Sequence, residues 1–165
     1  MDVILFRHGI AIDREKWAGK EHDRPLTGKG MRMTRRSAGG LLNLCMTPTH
    51  LLSSPLTRAR ETAEILERLI RPRVTLQLYD ELMPGAALNS LLARLAKLPL
   101  SSVAICVGHE PHLSLTAGLL LSGKPGRWLS LKKAGACLIH LEQSVLPKMG
   151  HLEWWLTAGQ LRMLR

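Results

Sequence analysis

Short apolar runs alternate with amphipathic segments along most of this chain. The apolar runs predict strands over residues 2–6, 49–53, 74–78 and 102–107. A helical spacing of apolar positions predicts helices over residues 27–45, 55–70, 86–97 and 111–121. Strands that alternate with helices in this way indicate an α/β fold with a mostly parallel sheet.

The pattern changes after Gly135. Two apolar runs, 136–141 and 152–157, are separated by a predicted turn at 147–150, and they predict late strands at the sheet edge, one of them antiparallel. We therefore expect a three-layer α/β/α sandwich with a mostly parallel central sheet and an antiparallel edge strand. A length of 165 residues with 45% hydrophobic residues predicts a single domain over residues 1–165.

Charge and composition narrow the class of partner. The chain has 23 Lys and Arg against 13 Asp and Glu, a formal charge of +10, which favours anionic ligands. Nucleic acid is disfavoured as a partner, because the chain has only one Phe, one Tyr and four Trp to stack on bases. No apolar run approaches the roughly 20 residues of a membrane span, and three cysteines without paired spacing suit a cytoplasmic protein.

Three polar segments follow predicted strands. Arg7-His8-Gly9 ends the first strand, Arg58 follows the second in the first turn of its helix, and His109 follows a later strand. The carboxyl ends of parallel strands open on one edge of a sheet, where helix N-termini also favour anions. Two arginines that grip a phosphoryl group and an imidazole that attacks its phosphorus would suit phosphoryl transfer. We expect a phosphate- or sulfate-type anion to bind at this edge.

The motifs resemble those of a known family. They are Arg7-His8-Gly9, the segment Ser54-Pro55-x-x-Arg58-Ala59-x-x-Thr62 and the pair Gly108-His109. Together they are similar to the motifs of the histidine phosphatase superfamily, which has the phosphoglycerate mutase-like fold. The segments around Arg24 and Glu81 resemble the short SixA-type phosphohistidine phosphatases of that superfamily.

The resemblance implies an enzyme, a hydrolase that works without a metal or organic cofactor. It implies that His8 is the nucleophile that becomes phosphorylated, and that Arg7, Arg58 and His109 form the phosphate pocket. Arg24 would be a further arginine facing the phosphate. Gly9 would leave room for the phosphate beside the backbone.

Other assignments follow from position. Ser54 is an expected helix cap and substrate contact, followed by Pro55 as the first helical residue. The side chains of Glu61 and Thr62 share a helix face with Arg58 and are expected to orient it. Glu81 is the expected general acid. Glu110, beside the second histidine, is an expected substrate contact and a rival for the acid, and the third alternative is that neither residue has that role. His109, Glu110 and His112 lack the spacing of a zinc-binding helix, so no metal site is expected.

The predicted substrate is phosphohistidine on a signalling or phosphotransfer protein. The chain is too short for the inserted lid of relatives that recognise small metabolites, and a shallow pocket suits a phosphorylated side chain of another protein. One alternative is a general phosphomonoesterase that acts on small phosphate esters. Another is a module that binds phosphate or nucleic acid without turnover.

Overall fold

The structure, a computed structural model, describes residues 1–126 and 129–165. The strands of this part of the chain are β1 (Asp2–Arg7), β2 (His50–Ser53), β3 (Leu76–Leu78), β4 (Val103–Gly108), β5 (Ala136–Leu141) and β6 (Gly150–Leu156). Its α-helices are α1 (Gly28–Leu44), α2 (Thr57–Leu69), α3 (Leu88–Leu95), α4 (His112–Ser122) and α5 (Ala158–Met163). Short 3-10 turns lie at Arg14–Lys16, Glu21–Asp23 and Asp80–Leu82.

The strands form a mixed sheet in the order β3-β2-β4-β1-β5-β6. Parallel pairs join β1 to β4, β4 to β2 and β2 to β3, while β5 is antiparallel to both β1 and β6. The prediction of a mostly parallel sheet with an antiparallel pairing at its edge is confirmed. The reversed strand is β5, next to the edge, so β6 runs in the same direction as β1.

Two apolar cores cover the two faces of the sheet, as expected of three layers. One core packs α3 and α4 against alternate strand residues such as Leu5 and Cys106. The other packs α1, α2 and α5 against residues such as Ile4 and Ile105. The central strands β1 and β4 are thus buried on both faces, which explains why their sequences are continuously apolar.

The observed elements differ from the prediction mainly at their ends. Helix α2 begins at Thr57 rather than Pro55, with Leu56 as its N-cap, and β3 is shorter than predicted. Helix α5 was not predicted, because six residues are too few to show a helical period. A capping box between Thr157 and Gln160 begins it. It packs so closely on α1 that a side chain at Gly40 would collide with the carbonyl oxygen of Leu161.

Within residues 1–126 and 129–165, no helix has both the length and the hydropathy that a bilayer crossing requires.

Candidate active site

A cavity of 470 Å³ opens at the carboxyl ends of the parallel strands. Among the described residues, those that line it are Arg7, His8, Arg14, Glu21, Arg24, Leu56, Arg58, Pro84, His109, Glu110 and Lys133. Five cationic side chains therefore face two carboxylates, which makes the cavity electropositive. The structure brings His8, Arg7, Arg58 and His109 together here, as their positions at the strand ends led us to expect.

His8 lies one residue beyond the end of β1, where the chain still pairs with β4 through a hydrogen bond from His8 N to Gly108 O (3.1 Å). Its ring nitrogen Nδ1 lies 2.8 Å from Gly9 O. A carbonyl oxygen can only accept, so Nδ1 carries the proton and donates it. In the neutral ring, Nε2 then keeps its lone pair.

Burial keeps the His8 ring neutral. The side chain is 7% exposed, and desolvation, followed by the charges of Arg58, Arg7 and Lys133, lowers its pKa to about 3, although the hydrogen bond to Gly9 opposes the shift. An imidazole that is unprotonated at neutral pH and has Nε2 available is the form that can attack phosphorus.

Gly9 serves helix packing rather than the ligand. A Cβ atom at Gly9 would overlap Thr34 Oγ1 of α1 and would lie 3.3 Å from Leu26. The expected role of Gly9, room for the phosphate, therefore lacks support in the geometry, since Gly9 is not among the described residues that line the cavity. Its amide instead donates to Thr62 Oγ1 (3.1 Å).

Thr62 connects the segment that follows β1 to the helix that carries Arg58. Its buried hydroxyl accepts from Gly9 N and donates to Arg58 O (2.7 Å). Glu61 and Thr62 were expected to orient the Arg58 guanidinium, and this expectation is wrong for both residues. Thr62 bonds the main-chain oxygen of Arg58, and Glu61 Oε2 accepts from Leu26 N (2.7 Å). Both side chains fix the backbone around the cavity, and Arg58 is held by other groups.

Arg7 and Arg58 are each held through one terminal nitrogen. Arg7 Nη1 donates to Leu131 O (2.7 Å), and Arg58 Nη1 donates to the main-chain oxygen of Glu21 (3.2 Å). No hydrogen bond within the described part of the chain uses Nη2 of either arginine. Burial lowers the pKa of both guanidiniums, and most of Arg58 is out of solvent at 5% exposure. Each fork is thus pre-oriented, with a donor left for an anion.

His109 follows β4 and faces His8, with the two ring centroids 5.0 Å apart. Its Nε2 lies 2.9 Å from Ser54 Oγ, so Ser54 positions the second histidine instead of capping α2 in the predicted manner. Burial first, then the neighbouring His8 and arginines, lowers the pKa of His109 to about 2. A phosphoryl group in the cavity would supply negative charge and raise this pKa.

Arg24 lines the cavity, but protein acceptors already engage all three of its nitrogens. Nε and Nη2 donate to the two oxygens of Glu21 (3.0 and 2.8 Å), and Nη1 donates to Ile12 O (2.6 Å). Glu21 Oε1 also lies 3.2 Å from Arg58 Nη1. Arg24 therefore fixes a carboxylate beside Arg58, which the sequence did not indicate.

The two candidate acids occupy different surroundings. Glu110 lines the cavity, and its oxygens accept from Ser114 Oγ (2.6 Å) and Leu131 N (3.1 Å). Glu81 lies in the Asp80–Leu82 turn and is not among the described residues that line the cavity. The structure thus brings Glu110, but not Glu81, to the site.

Sequence reasoning missed Arg14, Glu21 and Lys133 as cavity residues. Arg14 and Glu21 belong to the polar loop between β1 and α1, whose unusual length was the available signal. Lys133 belongs to the segment before β5, where Ala134 N donates to the carbonyl oxygens of Arg7 and His8 (3.1 and 3.2 Å). No local pattern marks that contact. Clusters of three or more His, Cys, Asp or Glu able to hold a metal ion are absent from the described residues.

Comparison with known proteins gives matches over most of the chain. An uncharacterised protein of Picosynechococcus sp. is 41% identical over 138 residues, which cover 82% of each chain. Among solved structures, the protein histidine phosphatase SixA in complex with tungstate matches with a TM-score of 0.84 at 23% identity, over 98% of this chain and 99% of SixA. The α-ribazole phosphatase of Shigella flexneri matches with a TM-score of 0.75 at 19% identity, over 96% and 97%. At these identities the structural matches establish a shared fold.

The sequence model of the histidine phosphatase superfamily (branch 1) matches residues 3–85, about half of the chain. These residues include the strand-end triplet and the whole segment around Arg58. The match confirms the resemblance seen in the motifs, and the fold comparison confirms the likeness to SixA and the phosphoglycerate mutase-like architecture. This chain therefore belongs to the histidine phosphatase superfamily.

Proposed function

We propose that this chain is a phosphohistidine phosphatase, a single catalytic domain over residues 1–165 that works through a phosphorylated His8. The observation that carries the proposal is the hydrogen bond from His8 Nδ1 to Gly9 O at 2.8 Å. It selects the tautomer whose Nε2 is unprotonated, inside a cavity that also contains Arg7, Arg58 and His109. A nucleophile of this form, surrounded by cations, suits attack on a phosphoryl group.

The proposed reaction has two displacement steps. In the first, His8 Nε2 forms a bond to phosphorus as the bond from phosphorus to the substrate's imidazole nitrogen breaks. That nitrogen keeps the electron pair and takes a proton from solvent. In the second, water attacks the phosphorus and loses a proton, and His8 Nε2 leaves with its electron pair, so inorganic phosphate is released and the enzyme is regenerated.

The neighbouring groups would stabilise the charge on the phosphoryl oxygens. Arg7 and Arg58 each have Nη2 available, and a donor aimed at developing charge in a partly dehydrated site is worth about 3 kcal/mol in comparable enzymes. His109 would take up a proton when the negative phosphoryl group enters and would then donate to one of its oxygens. Each role is part of the proposal.

The state of the cavity carboxylates supports a nitrogen leaving group over an oxygen leaving group. The hydrogen bond from Arg24 lowers the pKa of Glu21, and burial, the next largest effect, raises it. The net pKa lies below the ordinary value, so Glu21 is ionised. Glu110 accepts hydrogen bonds at both oxygens. Glu21 in this form has no proton to give to an alkoxide, and both oxygens of Glu110 are engaged by the protein. A departing imidazole nitrogen is basic enough to take its proton from water, so phosphohistidine needs no such acid.

The exposed part of the site supports a protein as the carrier of the phosphohistidine. Arg14 and Lys133 are exposed at the mouth of the cavity, and the formal charge of the chain is +10. Acidic surface around a phosphorylated histidine would be attracted by these cations. A cytoplasmic location is part of this proposal, in keeping with three cysteines in thiol form.

The test is a substrate panel measured on the wild type and on His8→Ala. We expect the highest kcat/KM on a phosphohistidine domain, lower values on an aryl phosphate, phosphoserine and a sugar phosphate, and no measurable turnover by His8→Ala. Rapid quenching with labelled substrate should trap label on the wild type that maps to His8. His151→Ala is the matched control, because His151 is exposed on β6.

The outcomes separate the parts of the proposal. Turnover retained by His8→Ala would rule out the covalent mechanism. A faster rate on esters than on phosphohistidine would favour a general phosphomonoesterase, the alternative that the shared fold with an α-ribazole phosphatase supports. Phosphate binding without turnover of any panel member would identify a non-catalytic module.

A further inference from the structure

Glu21 places a carboxylate where an incoming phosphate needs Arg58. Its Oε1 lies 3.2 Å from Arg58 Nη1 and 2.8 Å from Arg24 Nη2. The Arg58 side chain is only 6% exposed, so it has little access to water as an alternative partner. The carboxylate of Glu21 therefore offsets the charge of the buried arginine.

The carboxylate is held there firmly. Arg24 binds both oxygens of Glu21 in a bidentate geometry and is itself anchored to Ile12 O. The Arg24 side chain is 14% exposed, whereas that of Glu21 is 40% exposed. Glu21 thus lies at the solvent side of an arginine pair, and the bidentate bond to Arg24 keeps its charge beside the anion site when a ligand enters.

A phosphate that binds Arg58 must share it with this carboxylate. Two anions on one guanidinium repel each other, and solvent screens this repulsion only in part, because the Arg58 side chain between them is buried although Glu21 is 40% exposed. The remaining cations of the cavity make it attractive to phosphate overall, so Glu21 reduces an affinity that would otherwise be high. An enzyme with five cations around its cavity needs such a reduction if inorganic phosphate is to leave after each cycle.

We infer that Glu21 is an internal competitor of phosphate, whose carboxylate occupies the Arg24 and Arg58 pair and weakens the binding of the product. The inference deepens the proposed function, because it takes inorganic phosphate as the product. It assigns to Glu21 an effect on product affinity, and the hydrolytic step is left to His8 and its neighbours.

The experiment is calorimetric titration of inorganic phosphate into the wild type and Glu21→Gln. The amide keeps an oxygen that can accept from Arg24 and removes the charge, so we expect phosphate to bind about tenfold more tightly, which is about 1.4 kcal/mol. In turnover assays with an aryl phosphate, inhibition by phosphate should strengthen by the same factor. Glu15→Gln is the control, since Glu15 is exposed in the same loop and is not a cavity residue.

A decrease in phosphate affinity would indicate that Glu21 has a structural role instead. If the carboxylate mainly orients Arg58, Glu21→Gln will bind phosphate more weakly than the wild type, and the inference fails. An unchanged affinity also overturns it. Glu21→Ala provides a second measurement, and it too should bind phosphate more tightly. The phosphate titration needs no turnover, so it can be interpreted even if the protein does not hydrolyse phosphohistidine. Conversely, an unchanged phosphate affinity of Glu21→Gln would leave the proposed phosphatase activity untouched.

Discussion

The floor of the cavity differs from its rim in burial and in the elements that carry it. The floor consists of Arg7, His8, Arg58 and His109, which lie at the ends of β1 and β4 and in the first turn of α2. Its two histidines and Arg58 are between 2% and 7% exposed. The rim consists of Arg14, Glu21, Arg24 and Lys133, which lie in short 3-10 turns or in loops, and Arg14 and Lys133 are exposed.

The difference separates two tasks. Main-chain bonds of the sheet and buried side chains such as Thr62 hold the floor, so its geometry is set before any ligand arrives. Solvent screens the exposed rim charges, so each contributes little alone and acts on encounter and release. We therefore expect substitutions in the floor to change the chemical step, and those in the rim to change affinity and its salt dependence.

Among substitutions that leave His8 in place, replacing an arginine of the floor should have the largest effect. Arg58→Lys keeps the charge but loses the guanidinium fork. In the unsubstituted protein, Nη1 of that fork binds Glu21 and Nη2 remains available to an anion. We expect kcat/KM on a phosphohistidine domain to fall about 100-fold. Arg60→Lys on the same helix is the control, because Arg60 is exposed and lies 3.8 Å from Glu64. Equal losses in both variants would remove the distinction between floor and surface.

Acid should destabilise the protein through the buried histidines. A histidine of the unfolded chain takes up a proton below a pH of about 6.5, whereas His8 in the folded protein does so only below its pKa of about 3. Between these values the unfolded state binds more protons, so stability falls as pH decreases. His8 alone should lower the free energy of unfolding by about 3 kcal/mol between pH 6.5 and 4, at about 1.4 kcal/mol per pKa unit.

Urea unfolding at several pH values measures this effect. His8→Asn should show a shallower decrease of the unfolding free energy over the same range than the wild type. The exposed His151→Asn should follow the wild type. Parallel curves for all three proteins would show that the floor histidine is not held neutral by the fold.

A rim cation should give the smallest change. Lys133→Gln removes one exposed charge at the cavity mouth, so KM for a phosphohistidine protein should rise about threefold at low salt, with kcat preserved, and the difference should fade at high salt. Lys132→Gln removes the same charge one position away, outside the described cavity lining. A rise in KM for Lys133→Gln but not for Lys132→Gln would support the distinction between floor and rim. A fall in kcat for Lys133→Gln would contradict it.

The floor could be predicted from sequence because its residues are set by local rules. Each lies at or just beyond the end of a buried apolar strand or in the turn that follows, and the parallel sheet brings those ends to one edge. The fold class followed from the same alternation. The role expected for Gly9 was not apparent in the geometry, because a side chain at this position would collide with Thr34, a contact that the sequence does not show.

Most of the rim could not be predicted, because the contacts that bring its segments to the cavity join distant parts of the chain. Glu21 meets Arg58 across 37 positions, and Arg7 donates to Leu131 across 124. Arg24 illustrates the limit. The motif placed it at the site, but only the structure shows that its donors are taken by Glu21 and Ile12. Helix α5 was missed for a related reason, since its stability comes from the contact with α1.

The reversal of β5 decides which segment completes the site. Because β5 runs antiparallel to β1, the residues that precede it reach the cavity edge, and they contribute the Leu131 carbonyl and Lys133. This segment lies beyond residues 3–85, which carry the family match and His8, the proposed nucleophile. For protein engineering, the exposed positions of residues 129–133 are therefore open to substitution, whereas Leu131 is fixed because it is buried and its amide donates to Glu110. We expect a library of substitutions at Leu129, Ser130, Lys132 and Lys133 to alter substrate preference while His8 and β1 stay in place.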